Sequence, residues 1–116
     1  MILNVFERVL LRNIMSQVQG NFGHIKEARE VTESLFTPEE EETLGIRVVE
    51  DGRRIEWKTE TPDGHPIPQE KDVKISDGLK AKVARVLQLL DAEEQLKLEH
   101  YSLYEKFVGT KEAAKT

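Results

Sequence analysis

The stretch IRVVEDGRRIEWKTE, residues 46–60, decides the fold class. Two short runs rich in β-forming residues flank Asp51-Gly52, the residue pair preferred in a type I′ hairpin turn. Along such a hairpin Ile46, Val48, Ile55 and Trp57 alternate toward one face, and Arg47, Arg54, Glu56 and Lys58 largely toward the other. An isolated hairpin is marginal in water. The apolar face is therefore expected to rest on helices, with Trp57 half-buried.

The flanks supply those helices. Upstream, FTPEEEE offers Thr37 as N-cap, Pro38 at the first helical position, and Glu39 and Glu40 at the positive end of the helix dipole, with Gly45 closing the turn. Further upstream Ile25, Ala28, Thr32 and Leu35 recur at helical spacing after the turn residues Gly20, Asn21 and Gly23. Residues 2–18 hold apolar side chains at ten positions from Ile2 to Val18, with polar Asn4, Arg8, Arg12 and Ser16 recurring every fourth residue, which predicts a broadly apolar first helix. Such a helix lies under the rest of the domain or against a second copy.

Downstream, TPDGHPIP carries three prolines and a Pro-Asp-Gly turn signal, so residues 61–70 are expected to form an irregular exposed loop. Ser76 caps a helix whose Leu79, Val83, Val86, Leu87 and Leu90 make an apolar stripe. Asp91 and Glu94 have capping-box spacing and predict a further helix from Ala92 to about Val108, one long bent helix being the alternative. The whole reads as an α+β, mainly helical single domain over residues 1–108: two N-terminal helices, a short acidic helix, one hairpin and two C-terminal helices. GTKEAAKT, residues 109–116, has no core-forming pattern and is expected to be a flexible tail.

Composition narrows the function. Cysteine is absent, which removes disulfides, thiolate metal sites and cysteine nucleophiles. Glu7, Arg8 and Arg12 interrupt the apolar opening well short of a membrane span, so a cytoplasmic protein is expected. The net charge is −5, and residues 37–76 hold 11 acidic against 6 basic groups while both flanks balance. That distribution works against nonspecific polyanion binding.

No Walker A, dinucleotide-binding glycine pattern, HExxH, EF-hand loop or GxSxG occurs in the chain, and no cofactor or metal ligand set is expected. In EEQLKLEHYSLYEKF, residues 93–107, His100 shares a helical stripe with Leu96, Leu103 and Phe107 and reads as a hydrogen-bonded, partly buried imidazole. His65 stands alone in the proline-rich loop. An enzyme would have to assemble from scattered residues such as Asp77, Glu99, His24 and Tyr101, and no spacing argues for it. Candidate nucleic-acid contacts are Arg53, Arg54, Lys82 and Arg85, of which Lys82 and Arg85 are three apart and share a helix face.

Three segments taken in order, FERVLLRNIMSQVQGNFGHIKEAREV, FTPEEEE with VEDGRRIEWK, and LLDAEEQLKLEHYSLYEKFV, resemble small phage and prophage proteins of unassigned function across residues 5–108. The resemblance implies an accessory protein that binds another macromolecule, and it brings no catalytic or ligand residues. A noncatalytic interaction protein is therefore expected, self-associating through Phe6, Leu10 and Ile14 or engaging a host or phage protein. Glu39, Glu40, Glu41 and Glu42 form an acidic patch that would meet a basic partner surface. A small DNA-binding regulator is the alternative.

Overall fold

The structure, a computed structural model, describes residues 1–50 and 54–109. In chain order the elements are β1 (Ile2–Asn4), α1 (Val5–Met15), α2 (Phe22–Leu35), α3 (Pro38–Leu44), β2 (Arg47–Val49), β3 (Arg54–Glu56), β4 (Glu70–Asp72), α4 (Asp77–Ala92), a 3₁₀ turn at Leu98–His100, and α5 (Tyr101–Phe107). The class is α+β, mainly helical. Two separate antiparallel sheets, β1 with β4 and β2 with β3, flank helices that pack around α1.

The first helix is the centre of the core. Val5, Val9, Leu11, Ile14 and Met15 are buried, and α1 touches α2, α4 and α5. It starts later than its hydrophobicity predicts. Asn4 is the N-cap: its Oδ1 accepts the Glu7 N–H at 2.7 Å, and its own N–H donates to Glu7 Oε1 at 2.9 Å. An N-cap is extended, so residues 2–4 stay out of the helix and pair as a strand, Ile2 with Asp72, Leu3 with Lys71 and Asn4 with Glu70. Leu3 turns inward and is fully buried.

The predicted loop 61–70 is correspondingly more ordered than expected. Thr61 O accepts the Gly64 N–H at 2.9 Å and the Thr61 N–H donates to His65 O at 2.8 Å. Gly64 at φ +84 supplies the left-handed residue that this reversal needs. The chain then returns with Ile67 buried and enters β4 at Glu70.

The β2–β3 hairpin forms in the expected register, Val48 opposite Ile55, while Asp51, Gly52 and Arg53 lie outside the described residues. It rests on the helices only at its base. Ile46, Ile55 and Trp57 are half-buried, Trp57 stacks on Phe6 with ring centres 6.3 Å apart, and the Lys58 N–H donates to Leu44 O at 2.7 Å. Val48, nearer the tip, is 63% exposed, contrary to its expected inward packing.

The C-terminal region departs most from expectation. Helix α4 runs through Ala92 and stops in a Schellman arrangement: Glu94 N–H to Asp91 O at 3.0 Å and Gln95 N–H to Leu90 O at 2.8 Å, with Glu94 left-handed at φ +56. The Asp91…Glu94 spacing therefore ends a helix instead of starting one. Residues 93–97 are not helical, and α5 begins at Tyr101. Residues 110–116, most of the expected tail, lie outside the described residues.

Candidate functional site

A concave surface lies where α1 ends. Ser16 Oγ donates to Asn13 O at 2.6 Å, and the Gln17 and Val18 N–H groups bond back to Ile14 and Met15 carbonyls, closing the helix. Val18 drops into the core, and Gln19 and Gly20 lead to Asn21, the N-cap of α2. A Cβ on Gly20 would stand 3.0 Å from His24 Nδ1, so loop and helix approach closely there.

Facing this loop is one stripe of α4. Leu79, Val83 and Leu87 are fully buried, which turns the adjoining face, Lys82, Arg85, Val86, Leu89 and Leu90, toward the loop, with the C-cap Glu93 just beyond it. Between them is a cleft of about 680 Å³. Along α4 it runs from basic (Lys82, Arg85) through apolar (Val86, Leu89, Leu90) to acidic (Glu93), and Leu89 is 52% exposed. A carboxylate could pair at the basic end while an apolar side chain covers the middle.

Arg85 differs from the other described arginines. Arg8 meets Glu40, Arg12 meets Glu41, Arg29 meets Glu33, Arg47 meets Glu56, and Arg54 meets Glu56 and Glu50. Among the described residues Arg85 has no such partner, and neither has Lys82. Family models, curated proteins and solved structures return no match to this chain.

The other sequence-derived candidates are distributed differently. Leu10 and Ile14 are 6% and 2% exposed, inside the core of a single chain, and Phe6 is covered by Trp57, so this trio presents no joint surface to a second copy. The broad apolar face of α1 is consumed by α2, α4 and α5. The acidic run divides in two. Glu40 closes a capping box with Thr37 and accepts from Lys71 Nζ at 2.6 Å, and Glu41 pairs with Arg12 at 3.1 Å, whereas Glu39 and Glu42 face solvent.

Arg54 is engaged by Glu56 Oε2 at 2.7 Å, and Arg53 lies outside the described residues, which leaves Lys82 and Arg85 from the nucleic-acid set. His100 is half-buried and its Nδ1 accepts the Lys97 N–H at 3.0 Å. It does not share a helical stripe with Leu96, because the chain between them is not helical. No hydrogen bond or ion pair among the described residues joins any two of Asp77, Glu99, His24 and Tyr101. Among the described residues no group of three His, Asp or Glu is placed to hold a metal ion, and no helix is long and apolar enough to cross a membrane.

Proposed function

We propose that the protein is a noncatalytic, cytoplasmic accessory protein of the phage or prophage type that acts by binding protein. Its docking surface is the cleft between residues 16–20 and α4, and the occupant is a segment bearing a carboxylate beside apolar side chains. The observation that carries this reading is Arg85, unpaired among the described residues while the other described arginines meet carboxylates, standing with Lys82 at the end of an apolar strip. A guanidinium fork recognises carboxylates with defined geometry, and burial of Leu89 and Leu90 supplies the nondirectional part of the affinity.

DNA is less well supported, because Glu93 shares the cleft, Arg54 is already paired, and the net charge is −5. Fluorescence anisotropy separates the readings. A labelled short peptide of alternating Leu and Glu is expected to bind the wild type and to bind Arg85→Glu about tenfold or more weakly, a loss of roughly 1.4 kcal/mol. Salt-dependent binding of a DNA duplex together with indifference to the peptide at about 1 mM overturns the proposal.

A further inference from the structure

We infer that the occupant of the cleft is a second copy of this chain, which inserts the turn Lys97–Leu98–Glu99. The inference rests on the protein-binding reading and names its partner. Leu98 is 89% exposed and Tyr101, one turn on, is 60% exposed. These side chains are displayed on a held turn. Leu96 packs against the core, Gln95 is bonded to Leu90 O, and His100 Nδ1 accepts the Lys97 N–H across Leu98. An apolar projection already held by hydrogen bonds loses little freedom when it docks.

Two observations identify the second copy as its receptor. The first is charge order. The cleft reads basic, apolar, acidic along α4, from Lys82 and Arg85 through Leu89 to Glu93, and the turn reads basic, apolar, acidic from Lys97 through Leu98 to Glu99. Laid antiparallel, Glu99 meets Arg85, Leu98 meets Leu89, and Lys97 meets Glu93. Among the described residues Lys97, Glu99, Lys82, Arg85 and Glu93 are all without ion-pair partners in the single chain, so no existing pair has to break.

The second observation is position. Glu93 is on the cleft rim and Gln95 is bonded to Leu90 of the cleft wall, while Leu98 is three residues farther, within about 11 Å of chain. Projection and recess therefore lie at the same end of the molecule. A surface that carries both is self-complementary about a two-fold axis, the commonest symmetry of soluble oligomers, and each copy then fills the other's cleft. Each copy inserts only one turn, which predicts a reversible dimer.

The test is the molar mass of the full chain by light scattering and sedimentation between about 1 µM and about 1 mM, with circular dichroism as the control for folding. The wild type is expected to pass reversibly from monomer to dimer. Arg85→Glu and Glu99→Arg are each expected to weaken the dimer about tenfold or more, and the double variant, which reverses the pair in both copies, to restore it. A monomer throughout overturns the inference. So does a dimer indifferent to both substitutions and to Leu98→Asp, or two weakened single variants that the double variant fails to rescue. A monomer that still binds the Leu/Glu peptide through Arg85 sinks only the second copy as occupant; a monomer that ignores the peptide sinks the protein-binding reading as well.

Discussion

The guanidinium of Arg8 is fully buried, donating to Leu35 O at 3.0 Å and Gln69 O at 3.1 Å, with the Phe36 ring 4.5 Å beneath it and Glu40 Oε2 at 3.4 Å. Burial pulls its pKa down and Glu40 opposes that. One side chain thus ties α1 to the ends of α2 and α3 and to the approach to β4. Arg8→Ala leaves two carbonyls and a carboxylate short of a donor and is expected to cost about 3–5 kcal/mol in urea unfolding. Arg8→Lys is expected to recover only part of that loss, since one ammonium does not reproduce the fork. Two carboxyls on the same framework set the response to acid. Burial would raise Glu7, but hydrogen bonds from Lys106, Asn4 and Ser102 and the charge of Lys106 hold it below the ordinary value. Burial would likewise raise Glu40, and hydrogen bonds from Lys71 and Thr37 with the charges of Lys71 and Arg8 bring it below. A depressed folded-state pKa contributes stability that is fully present above the unfolded value of roughly 4.3 and is lost as pH falls through the folded value. Urea midpoints should therefore drop as pH falls below roughly 4.3, and Glu40→Gln should flatten that dependence while lowering stability at pH 7.

At the scale of elements, the helix ends carry the clearest consequences. Glu94 occupies the left-handed C′ position of α4, at φ +56, where a side chain is strained and glycine is not. Glu94→Gly is expected to raise the thermal stability by about 1 kcal/mol, whereas Gly45→Ala at φ +58 should lower it by a similar amount. A fall in melting temperature for Glu94→Gly would mean that the strain is not located there. The same contrast explains what could be read from the sequence. Thr37, Pro38, Gly45 and Ser76 announce their helix ends because they are the residue types those positions favour, and the α4 stripe follows from spacing alone. Glu94 announces nothing, so the end of α4 was legible only as a spurious helix start. Strands β1 and β4 were hidden for a related reason. Each has three residues, and Glu70–Lys71–Asp72 has no apolar alternation, so tertiary pairing makes the strand. In the cleft, the shared face of Lys82 and Arg85 was visible from their spacing. That Arg85 alone among the described arginines lacks a carboxylate depends on where Glu33, Glu40, Glu41 and Glu56 fall in three dimensions.

At the scale of the whole molecule, the pairing of β1 with β4 joins residues 2–4 to residues 70–72, and α1 lies between the α2, α4 and α5 contacts. Leu10→Asp places a charge at a site 6% exposed and is expected to unfold the chain; Phe6→Asp, at a half-buried position, should be tolerated better. Cooperativity follows from the same arrangement. The single tryptophan, Trp57, stacks on Phe6 of α1 and donates to Gln69 Oε1 at 2.8 Å, next to β4, so its environment depends on both halves of the chain. Helical circular dichroism reports mainly α1, α2 and α4. If hairpin, sheets and helices form one cooperative unit, Trp57 fluorescence and helical ellipticity will trace the same urea transition with one midpoint. A fluorescence change that precedes loss of helix would show that the hairpin opens alone, held only at its base, while the β1–β4 closure keeps the helical core intact. Coincidence is the expected result, because displacing Trp57 uncovers Phe6 and frees the Gln69 side chain that donates to Ile67 O at 2.9 Å beside the Arg8 anchor. A residue that looks peripheral in the hairpin thereby reports on the central charge and on the strand that closes the fold.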